Sequence, residues 1–465
     1  MSHESLLTRA HAHALAFLRS LADRPVGPAA SFDDLVAALG GDLPSGPQEP
    51  LTVFEETVSR LTPGLVAVAG PRYFGFVIGG SFPAALAADW LVSSWDQNSS
   101  LHVMSPAISA LETCTARWLL DVLDLPSESS VGFVTGANMA NVTALAAARH
   151  HMLRRAGWDV EALGLQGAPK LTVIASEEAH ASIHGACRLI GLGSQTIVRV
   201  PADDQGRMRA DALQRALQGA SDPLIVCAQV GNVNTGACDP VARIADLARR
   251  RGAWLHVDGA FGLWASASAS RRSLVEGVAA ADSWATDGHK WLNVPFDSGI
   301  VVVRHAAAHR AAMSQSAAYL TPAEGEQRDG ADWVPEASRR ARAVPIYVVL
   351  RMLGRAGVAD LVDRLCDLAS RMADRLRRTP GIHVLNDVVL NQVLVRFTSE
   401  AGENITPAVI ARIQQGGVCW CGGTMWAGEP AMRISVSNWQ TSVEDIDRSA
   451  AAIVAALATV NTRKE

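Results

Sequence analysis

Lys290 stands in "DGHKWLNVP" (287–295), between a histidine and a tryptophan and just ahead of the strand-like run "SGIVVV". Lysine is among the residues least often buried, and a buried amine without a partner has no cheap structural use. Upstream, Asp258 closes the apolar run "AWLHVDGA". "TGANMAN" is a glycine-containing turn at the head of a helical pattern, and "EEAH" ends in His180. Singly, each has an ordinary reading: a strand-end cap for Asp258, a satisfied loop histidine for His180, a turn glycine for Gly136. Together they offer a nucleophilic amine, a carboxylate and a helix N-terminus suited to an anion.

The elements that must position these groups are legible from about 106 to 303. "VGFVTG", "LTVIAS", "QTIVRV", "LIVCAQVG" and "AWLHVDGA" are short, apolar, β-branched runs that read as buried strands. They alternate with helical stretches such as "NMANVTALAAARHHML" and "VARIADLARRRG", the latter stopped by Gly252. Such alternation predicts a mostly parallel sheet with helices on both faces, whose strand ends bind ligands. Residues 1–72 read as a helical arm with a Gly/Pro linker at 40–50; His11 and His13 fall in its first amphipathic helix. The polar segment 320–343 has the length of a lid or a disordered stretch. From 346 to 465, helices and the strands "IHVLN", "NQVLVRF" and "AMRISVSN" predict a smaller α+β domain, its last helix opened by the capping box "SVED". The large domain is then 73–345.

Composition narrows the function. The chain is 49% hydrophobic and 19% charged with a formal charge of −5, so neither nucleic acid nor an anionic membrane is an expected partner. No apolar run is long enough to cross a bilayer. Basic runs such as "ARRRG" and "SRRARA" read as solvated helix ends. Seven scattered cysteines show no disulfide framework, and no signal-peptide architecture opens the chain, so a cytoplasmic location is expected. Cys419 and Cys421 lack a second Cys or His pair at finger spacing, and no metal is expected.

The three groups match what pyridoxal phosphate requires: an amine for its aldehyde, a carboxylate for its ring nitrogen, and backbone N–H groups for its phosphate. "EEAHASIHGA", "LHVDGAFG" and "DGHKWLNVPFDSG", in that order, resemble the group II pyridoxal-phosphate-dependent decarboxylases, which include aromatic amino acid and glutamate decarboxylases. The resemblance runs from "RYFGFVIGGSFPAALAADWL" to "MRISVSNWQTSVEDID". It implies the aspartate-aminotransferase-like fold (fold type I), with a seven-stranded, mostly parallel sheet. It also implies a homodimer with shared active sites, the N-terminal arm packing on the partner. Lys290 then resembles the Schiff-base lysine, Asp258 the partner of the ring nitrogen, and His180 the histidine over one ring face. Ala260 matches the small residue under the other face. Gly136, Ala137 and Asn138 match the phosphate turn, with His289 adding a contact. Arg433 corresponds to the arginine near the substrate carboxylate.

The implied reaction converts an L-amino acid to an amine and carbon dioxide. Two departures bear on it. The loop tyrosine that often returns the Cα proton is missing: the three tyrosines are Tyr73, Tyr319 and Tyr347, and alignment puts Gly330 at that place. Tyr319, His180 or a water is then the candidate donor, and family members lacking the tyrosine can divert to oxygen and an aldehyde. Secondly, "GNVNTGACDP" has Val233 and Asn234 where threonines are common, leaving Asn234 or Thr235 to touch the cofactor. The resemblance implies that segments 74–82 and 94–102 lie near the dimer interface and reach a neighbouring active site, with Trp95, Gln97, Asn98 and His102 as candidate lining, Trp95 equally a core residue. Aldol-type cleavage, transamination and a non-catalytic cofactor-binding homologue remain the alternatives.

Overall fold

The computed structural model describes residues 3–315 and 327–462. Two compact units emerge: Gly79–Ser370 with Leu385–Val393, and Met1–Ile78 with Arg371–Val384 and Leu394–Glu465. These borders differ from the expected ones at 72 and 345. The chain changes unit inside the helix Ala343–Leu376 and inside a strand, where no break in composition marks the crossing.

The larger unit holds a sheet of β1 (Ser130–Val134), β2 (Thr172–Ser176), β3 (Val198–Val200), β4 (Leu224–Gln229), β5 (Trp254–Asp258), β6 (Ser283–Asp287) and β7 (Gly299–Val303). Their order is β1-β7-β6-β5-β4-β2-β3. Strands β6, β5, β4, β2 and β3 pair in parallel, while β7 runs antiparallel to both β6 and β1. This is the expected seven-stranded, mostly parallel sheet. Every residue of β1, β2, β4, β5, β6 and β7 is buried, as strands covered on both faces must be. Helix Ala137–Arg155 lies against the sheet through Ala140, Ala144, Ala147 and Ala148, small residues that permit close approach. Gly299 sits opposite both Val134 and Asp287. A Cβ there would fall 2.4 Å from the Gly136 backbone, so only glycine lets the turn after β1 cross β7.

The smaller unit carries most of a four-stranded sheet of β8 (Ile382–Val384), β9 (Gln392–Phe397), β10 (Gly422–Trp426) and β11 (Glu429–Ser435), ordered β10-β11-β9-β8. Helix Val443–Thr462 opens on the expected capping box: Asp445 N–H donates to Ser442 Oγ at 3.1 Å, and Ser442 N–H donates to the Asp445 carboxylate at 3.0 Å. The N-terminal residues belong to this unit through backbone bonds such as Phe74 N to Trp420 O, 2.8 Å. All seven cysteines are free thiols. Among the described residues no helix is long and apolar enough to cross a membrane.

Candidate active site

Because β2, β4, β5 and β6 run in parallel and β1 shares their direction, their C-terminal ends meet along one edge of the sheet. Open α/β sheets bind ligands there, because loops and helix N-termini converge on it. Asp287 ends β6, and the tight turn after it brings Lys290 Nζ to 2.9 Å from Asp287 Oδ2. The acid is almost wholly buried and the lysine side chain is 19% exposed, so this pair is shielded while its amine stays reachable. Asp287 Oδ1 accepts the Ala137 N–H at 2.6 Å, tying the lysine's partner to the first turn of helix Ala137–Arg155.

Asp258 ends β5 and is buried. Its Oδ2 accepts from Asn141 Nδ2 at 3.0 Å and from Ser182 Oγ at 3.3 Å; its Oδ1 accepts the Ala260 N–H at 3.2 Å. Asn141 lies one helical turn beyond Ala137, so one helix face holds both carboxylates. His180 caps helix Ala181–Leu189: its Nδ1 accepts the Ser182 N–H and lies 2.8 Å from Ser182 Oγ, which links the imidazole to Asp258. Its backbone N–H donates to Gln229 Oε1 at the end of β4, 3.1 Å away.

His289 faces the same turn. Its Nδ1 accepts the Ser298 N–H at 3.2 Å, which leaves Nε2 as the protonated nitrogen, 3.5 Å from Asp287 Oδ1. Burial pushes its pKa below the usual histidine value, outweighing the opposing pull of Asp287. A Cβ on Gly136 would lie 3.3 Å from His289 Cε1. The first intrahelical bond runs from Ala140 N to Gly136 O, so the Asn138 and Met139 N–H groups stand outside the helix ladder. An amine, an acid surrounded by donors, and a turn of small residues at a helix start fit a phosphate-bearing aromatic aldehyde. Asn234 lies buried in the loop after β4, its N–H donated to Asn232 Oδ1 at 2.8 Å.

The candidate substrate residues make the following contacts within the chain. Asn98 Oδ1 accepts from Ser100 N and Arg339 N, and His102 Nδ1 lies 3.2 Å from Ser109 Oγ. Trp95 is exposed, and Gln97 reaches back to the Trp95 carbonyl. No hydrogen bond or ion pair among the described residues joins Trp95, Asn98 or His102 to the Lys290 cluster. Arg433 stands on β11 opposite Gly422 in the smaller unit, where burial lowers its pKa. Gly79, in the other expected pocket segment, has no room for a side chain: a Cβ would lie 1.9 Å from the Lys290 carbonyl.

Tyr319 lies outside the described residues. The described part of the 320–343 loop is held by Glu112, which pairs with Arg328 at 3.1 Å and Arg339 at 2.8 Å. A Cβ on Gly330 would lie 2.4 Å from the Ser99 carbonyl oxygen, so the backbone leaves no room for a side chain there.

Sequence reasoning missed Asp287, Asn141, Ser182 and Gln229. The signal for Asn141 was present: an asparagine on the buried face of an alanine-rich helix needs a partner. Asp287 was visible in "DGHK", three residues before the lysine.

A family model described as the pyridoxal-dependent decarboxylase conserved domain matches residues 33–398. The chain is 25% identical to an aromatic-L-amino-acid decarboxylase of Bacillus atrophaeus, covering 92% of this chain and 90% of that protein. It is 23% identical to a phenylacetaldehyde synthase of Arabidopsis thaliana, covering 90% and 88%. A crystal structure of Oryza sativa TDC with PLP and tryptamine superposes with a TM-score of 0.90 at 25% identity, covering 98% of each chain.

Proposed function

The chain belongs to the pyridoxal-dependent decarboxylases, and from that premise we propose that it converts an L-amino acid to the corresponding amine and carbon dioxide. It is a carboxy-lyase that uses pyridoxal phosphate. The bound cofactor supplies an aldehyde and a ring that accepts electrons as the Cα–carboxylate bond breaks. Lys290 Nζ is the covalent anchor, and once free it is an acid–base group close to the substrate Cα. Asp258 would be the acid that keeps a ring nitrogen protonated. The Asn138 and Met139 N–H groups, the Gly136–Ala137 turn and His289 bind the phosphate, with Asn234 at the flank. His180 and Ala260 would help hold the ring and exclude water.

One observation carries this reading: two buried acids at the ends of neighbouring strands, held by donors one helical turn apart, one of them paired with the lysine. Borohydride reduction of the holoenzyme followed by peptide mapping should tag Lys290; a tag elsewhere overturns the assignment. Carbon dioxide and amine without peroxide are expected from a panel of amino acids. Keto acid without carbon dioxide would replace the reaction while sparing the fold.

The absence of room at Gly330 supports a second reading. Without a tyrosine to return the proton, molecular oxygen can act as oxidant. The amino acid, oxygen and water would then give aldehyde, carbon dioxide, ammonia and hydrogen peroxide. Peroxide stoichiometric with aldehyde selects it.

A homodimer is part of the proposal. Helices His3–Ser20, Phe32–Leu39 and Pro50–Leu61 bury no residue, and Phe32 is 77% exposed. An apolar face of this kind suits a second copy of the chain. Sedimentation should give the dimer mass, and a monomer at working concentration would refute it.

A further inference from the structure

Trp254, His256 and Asp258 are alternate residues of β5 and therefore point to one face of the sheet. All three side chains are polar or carry an N–H, and all are buried, in a strand whose position otherwise calls for Val or Ile. His256 lies directly opposite Ser283 of β6. Trp254 Nε1 is 2.9 Å from Ser283 Oγ, which is 2.9 Å from His256 Nδ1. His256 Nε2 is 2.8 Å from Asn141 Oδ1, and Asn141 Nδ2 is 3.0 Å from Asp258 Oδ2.

Chemistry fixes the direction of every bond. A carboxylate only accepts, so the Asn141 amide turns Nδ2 to Asp258 and Oδ1 to His256. That oxygen must receive a proton, so His256 carries its hydrogen on Nε2. Burial pushes the His256 pKa down to about 4, so the ring is neutral and its Nδ1 is an acceptor. Ser283 therefore donates its hydroxyl hydrogen to Nδ1, and its oxygen accepts the Trp254 N–H, which can only donate. Four hydrogen bonds run one way, from the start of the strand to the acid at its end. Such a chain polarises each successive donor and holds the last one rigidly.

We propose that Trp254, Ser283, His256 and Asn141 are positioning residues that aim and polarise the Asp258 carboxylate for the protonated ring nitrogen of the cofactor. This rests on the assignment of Asp258 made above. Ser182 and the Ala260 N–H also meet the acid, but only the Asn141 contact is backed by a relay that orients and polarises its donor. A merely structural network would serve any ligand of the same shape.

The test uses two ligands on the full-length protein, pyridoxal phosphate and its 1-deaza analogue, in which carbon replaces the ring nitrogen. Dissociation constants are read by absorbance for the parent and for Asn141→Leu, His256→Leu, His256→Gln and Ser283→Ala. The final bond goes to a charged acceptor, so Asn141→Leu should weaken pyridoxal phosphate about ten- to hundred-fold and leave the deaza analogue within about two-fold. His256→Leu should follow with a smaller loss that His256→Gln, which keeps an N–H donor, largely restores. Ser283→Ala removes one oxygen atom, threatens folding least, and should cost a few-fold. Equal losses for both ligands, or no loss for pyridoxal phosphate, overturn the proposal. Failure of the site assignment has a separate signature: the unmutated protein would then show no preference for pyridoxal phosphate over the analogue, or borohydride would not tag Lys290.

Discussion

Two regions of the larger unit make opposite use of buried charge. At the strand-end edge, Asp258 and Asp287 are met by donors from turns and from two helices, and each ends a strand. Around the 98–102 segment and the loop from 327 onward, a single acid, Glu112, is shared by Arg328 and Arg339. Much of what surrounds it is side chain to backbone, as in Arg339 Nη1 to Ser99 O at 2.6 Å. The first arrangement keeps an amine accessible for chemistry. The second spends its charges on holding irregular backbone in place. Buried charge therefore marks function only where one group is left facing open space.

Breaking the first region should have the largest effect. Lys290→Ala is expected to lower kcat/KM by on the order of 10³–10⁶-fold, the range for losing a covalent group, with loss of the borohydride tag. Survival of most activity would place the chemistry elsewhere. The corresponding cut in the second region is Glu112→Ala, which leaves two guanidinium groups without their buried acid. It should destabilise by about 3–5 kcal/mol in denaturant unfolding. Below its unfolding transition it should still load cofactor; loss of loading in folded protein would show that the two regions are not independent.

Acid sharpens the contrast in another way. Burial pushes His256 to about 4 and His309 to about 3, and it raises Asp239 to about 6. Below the unfolded histidine value near 6.5, the unfolded chain binds two protons that the folded chain refuses. Asp239 opposes this by holding one proton when folded between about 6 and 4. For these three groups the balance is about one proton in favour of unfolding, so their contribution to stability should fall by roughly 1.4 kcal/mol per pH unit on going from 6 to 5. Unfolding midpoints that are flat or rising on acidification would contradict these assignments. The smallest effect should come from Asn98→Ala. It removes a half-buried acceptor of two N–H groups and should cost about 1 kcal/mol. Were Asn98 to touch substrate, the change would appear as a raised KM with stability untouched.

Much of the larger unit was legible because its signals are periodic. Runs such as "LTVIAS" and "LIVCAQVG" are continuous and β-branched because both faces of the sheet are covered. The groups that end them, Asp258 and Asp287, inherit their place from the strand. The 98–102 segment carries polar residues of suitable type for a pocket, and within one chain Asn98 meets the Arg339 N–H and His102 meets Ser109. Nothing local in the sequence distinguishes a loop residue that satisfies backbone from one that meets a ligand.

By itself the sequence settled the alternation of strand and helix, the amine at 290 and the acid at 258. These follow from periods of two and 3.6 and from residue types too costly to bury idly. Only the tertiary structure decided what stands beside them. His256 meets Ser283 because β5 and β6 pair in one register, and Asn141 reaches both His256 and Asp258 because its helix lies across those strands. Register and helix placement are products of the whole packed sheet, and no single strand encodes them.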